Sequence, residues 1–347
     1  MEQISARAWV ATALGDPTAV LEQQTVPVRA PGPGEVRVKV AAFCVNLNDA
    51  DVVRGRYVMM PLPPPFVPGM ESVGVVESAG AGAEHLLGRR VLGIPVFAHG
   101  GFAEYAVVDA ATTQLVPDWM SDAEAAALHY PFHLGWFALT ERARLQPGET
   151  LLVHAAAGGV GSAVVQLGKA LGARVIATAG GPEKVEFARS LGADVVIDYR
   201  NGGFADAVND ATFGHGVDVA LDTIGGEVTT ETFRCMGMNG RHLIVGYSSD
   251  ITLDGQPIAM SPALYGNFSL VGVCLVYTND PLGTRATLGF NWPSRADGQI
   301  AHRKLLELIA AGTVRTVVTE EIGFDDLPAA MERQERRETM GRVVVRL

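Results

Sequence analysis

Ala156, Gly158 and Gly161 are the residues whose type and spacing point most directly to chemistry. They end the run Leu151-Leu152-Val153-His154-Ala155-Ala156-Ala157-Gly158-Gly159-Val160-Gly161, which begins as a short apolar strand, breaks at two glycines and continues as a helix. This is the G-x-G-x-x-G dinucleotide fingerprint with alanine in the first place. The small residues let the backbone turn tightly and come close to a pyrophosphate, and the last glycine lets the helix pack against the strand. The first N–H groups of such a helix have no internal partner, and its dipole favours negative charge, so a diphosphate can sit there.

A lone glycine fingerprint is weak, so the elements around it decide. Val160, Val164, Leu167 and Leu171 fall on one helical face, Gly172 ends the helix, and Arg174-Val175-Ile176-Ala177-Thr178 reads as a second buried strand. Strand, glycine turn, helix and strand within about thirty residues is the βαβ unit that the fingerprint requires, and it disfavours a nucleotide-free turn. An NAD site would place an acid about twenty positions on, for the ribose 2′-hydroxyl. Here the second strand ends Thr178-Ala179-Gly180-Gly181-Pro182 with no acid, and Lys184 follows Glu183 in the next helix. A missing carboxylate beside a lysine favours a 2′-phosphate, hence NADPH. The alternative reading of Lys184 is a solvated helix residue.

Further strands are expected at Val195–Ile197, Val217–Asp222, Arg241–Val245 and Phe268–Cys274, with helices centred near Phe187, Ala207 and Thr232. Six buried strands alternating with helices make a doubly wound parallel sheet of Rossmann type. Residues 1–126 read as β-rich. Val36–Val40, Val73–Glu77, Val91–Ile94 and Ala103–Val108 are strands, and the proline-rich stretch 61–68 is a loop. Asp122 to Leu139 reads as a helix with a capping box at Ser121 and Glu124 and a break near Tyr130 caused by Pro131. Ala301 to Ala311 reads as an amphipathic helix stopped by Gly312. After it come a strand, a helix from Leu327 to Arg337 and a final strand from Arg342. The expected organisation is one discontinuous β-rich domain, 1–126 with 314–347, around a nucleotide domain at 127–313.

Of 347 residues, 48% are apolar and 19% charged, with a formal net charge of −11. That describes a globular chain and argues against nucleic-acid or anionic-membrane binding, which need a basic face. There is no apolar N-terminal core segment of a signal peptide and no run of about eighteen apolar residues, so no membrane span is expected, and the cysteine usage suits a reducing cytoplasm. Cys44, Cys235 and Cys274 are odd in number and far apart, which suits neither a disulfide framework nor a metal clip.

Ordered motifs over nearly the whole chain resemble the quinone oxidoreductase, or zeta-crystallin-like, branch of the medium-chain dehydrogenase/reductase superfamily. They are Cys44-Val45-Asn46-Leu47-Asn48-Asp49 with Arg54-Gly55-Arg56-Tyr57, Pro68-Gly69-Met70-Glu71-Ser72-Val73-Gly74, Pro147-Gly148-Glu149 leading into the fingerprint, Leu191-Gly192-Ala193-Asp194, Val196-Ile197-Asp198-Tyr199, Asp222-Thr223-Ile224-Gly225-Gly226 and Met340-Gly341-Arg342-Val343-Val344. The resemblance implies a GroES-like catalytic domain beside the Rossmann-type domain. It implies NADPH contacts at Ala157, Gly158, Gly159, Val160 and Gly161 on the pyrophosphate, at the Gly180 turn, and at Lys184, Tyr199 and Arg337 on the 2′-phosphate. Val245, Gly246 and Tyr247 would line the nicotinamide. Tyr199 as a sheet-edge aromatic and Arg337 as an exposed helix charge are the plainer readings.

Where the alcohol dehydrogenase branch carries a zinc-binding cysteine and histidine, this chain has Asn46 and Met70. A catalytic zinc needs three protein ligands, so no metal is expected, and Cys44 reads as a small core residue. The implied reaction is zinc-free hydride delivery from NADPH to a quinone or an α,β-unsaturated carbonyl. Asn46 and Tyr57, at family positions facing the active-site cleft, would hydrogen-bond the acceptor oxygen. Asn46 bonding its own backbone and Tyr57 lying over the proline-rich loop are the alternatives. Tyr130, His133 and Trp136 would line an aromatic pocket, although a lone histidine among apolar residues is more often simply packed. The segment Tyr277–Arg295 reads as a lid or subunit contact, and the apolar edge strand Phe268–Cys274 as a homodimer seam. The competing functions are an enoyl-thioester reductase of fatty-acid or polyketide type, and a low-turnover NADPH-binding structural or regulatory protein.

Overall fold

The computed structural model describes residues 4–57 and 61–347. Two units organise the chain: residues 1–129, 276–302 and 316–347 form the first, and 130–275 with 303–315 the second.

The first unit begins with an antiparallel pair, β1 (Ile4–Ala11) and β2 (Leu21–Val28), joined through the short helix α1 (Pro17–Val20). The sequence did not reveal this pair, because β2 is mostly exposed, polar and carries a proline, so it shows no alternation. The main sheet is built on β3 (Glu35–Cys44), β4 (Ser72–Ala79), β5 (Arg90–Gly93), β6 (Tyr105–Asp109) and β7 (Gln114–Leu115). Helix α2 (Leu47–Val53) follows β3. The chain's end returns as β14 (Val318–Gly323) and β15 (Arg342–Arg346), giving the order β14-β15-β3-β4-β5-β7, with β6 also paired to β3. Phe43 and Phe102 stack in the core with ring centroids 4.8 Å apart, and the Trp9 indole N–H donates to the Phe324 carbonyl at 2.8 Å. That bond ties the first strand to the returning tail.

The second unit holds β8 (Thr150–Val153), β9 (Arg174–Ala179), β10 (Val195–Asp198), β11 (Val217–Asp222), β12 (Met236–Ile244) and β13 (Ser269–Gly272). All are parallel, in the order β10-β9-β8-β11-β12-β13. This is the doubly wound 3-2-1-4-5-6 order, whose ligands sit beyond the carboxyl ends of the strands. The helices between strands are α4 (Gly159–Ala170), α5 (Pro182–Ser190), α6 (Ala205–Ala211), α7 (Glu227–Thr232) and α8 (Ser261–Gly266).

Helix α3 (Asp122–Trp136) departs from expectation. Its capping box is present: Glu124 N–H donates to the Ser121 hydroxyl at 3.2 Å, and Ser121 N–H to the Glu124 carboxylate at 2.8 Å. The expected break near Tyr130 is absent, and the helix runs through Pro131 into a π-helical continuation at Phe137–Arg142. An interior proline costs roughly 3 kcal/mol. Leu128, Phe132 and Leu134 are all buried, and each such side chain contributes about 1.5–3 kcal/mol, so the helix survives its lost bond. Other bounds shift: the last sheet strand is Ser269–Gly272 rather than Phe268–Cys274, β12 starts at Met236, the helix expected from Ala301 starts at Arg295, and helix α11 (Leu327–Glu335) stops before Arg337. The segment Tyr277–Arg295 contains helix α9 (Pro281–Leu288), capped by Asp280 through the Gly283 N–H, and leads into α10 (Arg295–Ala310).

His154, just past β8, is fully buried, with Nδ1 and Nε2 each 2.9 Å from a hydroxyl, those of Thr178 and Thr232. Burial lowers its pKa to about 4. The unfolded chain therefore binds more protons than the folded one between pH 6.5 and 4, and stability falls as pH drops through that window. The full shift corresponds to roughly 3 kcal/mol. His302, bonded to the Leu115 carbonyl and also lowered to about 4 by burial, acts in the same direction. His154→Gln is expected to flatten, without abolishing, the loss of melting temperature between pH 7 and 4.5. An unchanged slope in thermal melts refutes the assignment.

Candidate nucleotide and acceptor site

The glycine turn is shaped by contact rather than flexibility alone. After β8 the chain reverses through Ala155, at φ 49°, and Gly158 N–H bonds back to the Ala155 carbonyl at 2.8 Å. Gly161 lies against this reversal, where an added Cβ would collide with the Ala155 carbonyl oxygen and stand 2.8 Å from the Ala156 Cα. Gly168, one face further along α4, meets the Leu151 side chain in the same way. The helix is thereby held against β8. Gly158, Gly159 and Val160 are half-buried at its start, whereas Ala156 and Ala157 are buried. Ser162 N–H to Gly158 carbonyl is the first bond of the helix, so the N–H groups of Gly159, Val160 and Gly161 precede its ladder. This cradle fits a diphosphate.

A second turn follows β9. The strand register pairs Asp198 with Ala179, so Tyr199 and Arg200 run on beside Gly180 and Gly181. A Cβ on Gly180 would stand 2.5 Å from the Tyr199 hydroxyl, and one on Gly181, at φ 94°, would collide with the Arg200 guanidinium. Lys184 is in the first turns of α5, which starts at this bend. The acid absent from the end of β9 is supplied in space by its neighbour: Asp198 at the end of β10 accepts the Gly181 N–H at 3.0 Å. Sequence reasoning looked one strand too early, because cross-strand register is invisible in a single chain. That same bond, followed by those from Arg200, holds the Asp198 pKa below its ordinary value. Arg337 belongs to the first unit, exposed just past α11 at φ 60°.

At the ends of β11 and β12, Asp222 organises the next turn. Its Oδ1 accepts N–H bonds from Ile224 and Gly225, its Oδ2 the Thr229 hydroxyl at 2.5 Å, and His242 Nε2 lies 3.3 Å away. Burial works to raise its pKa, but the bonds from His242, Thr229 and Gly225 outweigh it and leave the group ionised. The ordered turn sets Gly225 against the Tyr247 ring, and Val245 N–H donates to the Asp222 carbonyl at 2.8 Å. Val245, Gly246 and Tyr247 are thus half-buried at the carboxyl edge of the sheet. Burial raises the Tyr247 pKa.

In the first unit, Asn46 is the N-cap of α2 and nearly buried, its N–H donating to Asp49 at 3.2 Å. Its amide nitrogen donates to Glu71 at 3.0 Å, and its amide oxygen accepts from Arg342 at 2.9 Å. Arg342 also donates to Glu71 at 2.6 Å, and His129 Nδ1 lies 3.5 Å from the other Glu71 oxygen. Asn46 is therefore held by ionic partners just before β4 and at the start of β15, as well as through its cap of α2. Burial works to raise the Glu71 pKa, but His129, Arg342 and Asn46 together bring it below the usual value. Glu71 and Arg342 were missed as partners. Their signal was a charged residue just before one apolar strand and one opening another. Cys44 beside them is fully buried, its thiol pushed up to about 12 by burial, as a core residue.

Tyr57 is half-buried against the first unit's core. Tyr130, His133 and Trp136 follow one another on α3 in the second unit, with His133 fully buried and the other two partly so. Among the described residues no group of three or more histidine, cysteine or acidic side chains is arranged to hold a metal.

Fold and site together define a nucleotide-dependent oxidoreductase built from a Rossmann-type unit and a GroES-like unit. Residues 32–118 match the alcohol dehydrogenase GroES-like domain, and 159–284 the zinc-binding dehydrogenase family. The chain is 38% identical over 272 residues to quinone oxidoreductase-like protein 2 of Rattus norvegicus, covering 77% of this chain and 74% of the relative. It is 31% identical to a mycocerosic acid synthase-like polyketide synthase of Mycobacterium tuberculosis, over 84% of this chain but 14% of that protein. The structure of Escherichia coli quinone oxidoreductase complexed with NADPH superposes with a TM-score of 0.84 at 25% identity, over 98% of this chain and 100% of that one. The chain belongs to the quinone oxidoreductase branch of the medium-chain dehydrogenase/reductase superfamily.

The Glu71–Arg342 pair is buried on both sides, so removing one partner leaves a charge uncompensated. Arg342→Met is expected to cost about 3–5 kcal/mol, read in denaturant unfolding. A loss below about 1 kcal/mol would show that the pair is dispensable.

Proposed function

We propose that the chain is an NADPH-dependent reductase that passes hydride to a quinone or an α,β-unsaturated carbonyl. The observation that carries this reading is the paired cradle at the carboxyl edge of the parallel sheet. The helix start at Gly158–Gly161 suits a diphosphate, and the Gly180–Gly181 turn, with Tyr199 against it and Lys184 just beyond, suits a phosphorylated ribose. The NADPH complex of the E. coli relative supports the same coenzyme. We assign the β-rich unit as the catalytic domain and the 3-2-1-4-5-6 sheet as the coenzyme domain, and we assign Arg337 to the 2′-phosphate as well.

Bound NADPH would supply the hydride, which carries both reducing electrons, and the protein supplies position and hydrogen bonds. Val245, Gly246 and Tyr247, held by the Asp222 turn, are the backbone lining for the nicotinamide. Asn46, its amide held by Glu71 and Arg342, is in this reading the first donor to the acceptor oxygen. Such a pre-set donor stabilises enolate or quinol charge as it develops. Tyr57 is the second donor in this reading, and Tyr130, His133 and Trp136 line the acceptor pocket. The reaction needs one proton besides the hydride, which we assign to water.

The polyketide synthase match favours a second reading, an enoyl-thioester acceptor. NADPH oxidation measured against a panel of quinones, short enones and enoyl thioesters separates the two. Turnover confined to the thioesters supports the second, and no turnover with any acceptor overturns both in favour of a binding protein. Lys184→Ala is expected to raise the NADPH KM about tenfold, ~1.4 kcal/mol, with little change for NADH. Equal losses for both remove the phosphate assignment.

We also propose a homodimer through β13, an outermost strand of its sheet that would otherwise present an open edge. Light scattering is expected to give twice the chain mass at micromolar concentration, and a monomer refutes the seam.

A further inference from the structure

Asp198 and Arg200 raise a question that the coenzyme reading alone does not answer. In nucleotide domains of this strand order, a carboxylate near the turn after the second strand accepts a hydrogen bond from a ribose 2′-hydroxyl and so selects NADH. Asp198 brings such a carboxylate to Gly181. Left alone, it would repel a 2′-phosphate, which carries up to two negative charges.

The carboxylate is not left alone. Asp198 Oδ1 accepts the Arg200 backbone N–H at 3.1 Å and the Arg200 Nε at 3.3 Å, while Nη2 lies 3.4 Å from Oδ2. The turn at Tyr199–Asn201 is short, and Asp198 caps it, so the side chain of Arg200 folds back over its own cap. This places the guanidinium against Gly181, where only a residue without a Cβ leaves it room. The Arg200 side chain is about half exposed (54%), against 16% for Asp198. The cation therefore faces solvent and the anion lies beneath it. A guanidinium has five N–H donors in a planar fork, more than Asp198 engages, and the rest suit a phosphate.

We propose that Arg200 and Asp198 form a coenzyme-discrimination pair. Arg200 binds the 2′-phosphate and, by pairing with Asp198, masks a carboxylate that would otherwise select the 2′-hydroxyl. This rests on the NADPH reading above and adds to it a residue and a direction. Loss of Arg200 removes an attraction and at the same time exposes a repulsion, so specificity reverses rather than fades. Asp198 is the positioning residue, and Arg200 is the one that touches the coenzyme.

The test uses calorimetric titration of the whole chain with two fragments that carry no nicotinamide, 2′,5′-ADP and 5′-AMP. The wild-type chain is expected to prefer 2′,5′-ADP. Arg200→Ala should weaken 2′,5′-ADP by tenfold or more and leave 5′-AMP unchanged or tighter. Adding Asp198→Asn to that variant should restore part of the lost 2′,5′-ADP affinity, since the uncovered carboxylate is then neutral yet still accepts the Gly181 N–H. Arg200→Gln, which keeps bulk and polarity, should behave like the alanine variant. A wild-type preference for 2′,5′-ADP that survives Arg200→Ala overturns the pair alone. Equal weakening of both fragments in Arg200→Ala also overturns it. A wild-type chain that binds neither fragment overturns the NADPH reading and the pair with it.

Discussion

One close approach governs the second unit: Gly161 of α4 against the Ala155 carbonyl at the end of β8. No side chain fits there, so the helix is held against the reversal at the strand end. Its first N–H groups are then set at the carboxyl edge of the sheet, next to the chain reversal at Ala155. The rest of the site is arranged along the same edge. β9 and β11 flank β8, and their terminal turns carry the Gly180–Gly181 bend and the Asp222 loop.

Those turns are kept in shape by buried polar groups whose bonding is met almost entirely from nearby. His154 fastens β8 to Thr178 of β9 and Thr232 at the end of α7, while Asp222 gathers two backbone N–H groups, a threonine hydroxyl and His242. Neither network need take part in chemistry to matter, because a loop that holds a coenzyme must not wander. The first unit uses the same strategy with charges. Glu71 and Arg342 hold the Asn46 amide from both sides and so fix the cap of α2. A pair of that kind adds little net stability over an apolar core and is better understood as fixing geometry.

Much of this was legible before any coordinates. The βαβ unit around Ala156–Gly161 announced itself through period and glycine spacing, and the six parallel strands followed from alternating apolar runs. The capping box at Ser121 and Glu124 was readable because both partners lie within one turn. What escaped was set by tertiary contact. Helix α3 crosses Pro131 because buried side chains on either side outweigh the lost bond, and β2 hides because its polar face shows no alternation. At the proposed site, Lys184 was suggested by the missing acid after the second strand and Tyr199 by a family motif. Asp198 with Arg200, and Glu71 with Arg342, required knowing which strand lies beside which. Pairing across strands is a long-range fact that residue types alone do not encode.

The account rests on a diphosphate seated at the start of α4. A crystal structure of this chain grown with NADPH tests that most directly. The account predicts the diphosphate within hydrogen-bond distance of the backbone N–H groups between Gly158 and Gly161, with the phosphorylated ribose at the Gly180–Gly181 turn. A coenzyme bound elsewhere on the chain, or with its diphosphate turned away from α4, would contradict it.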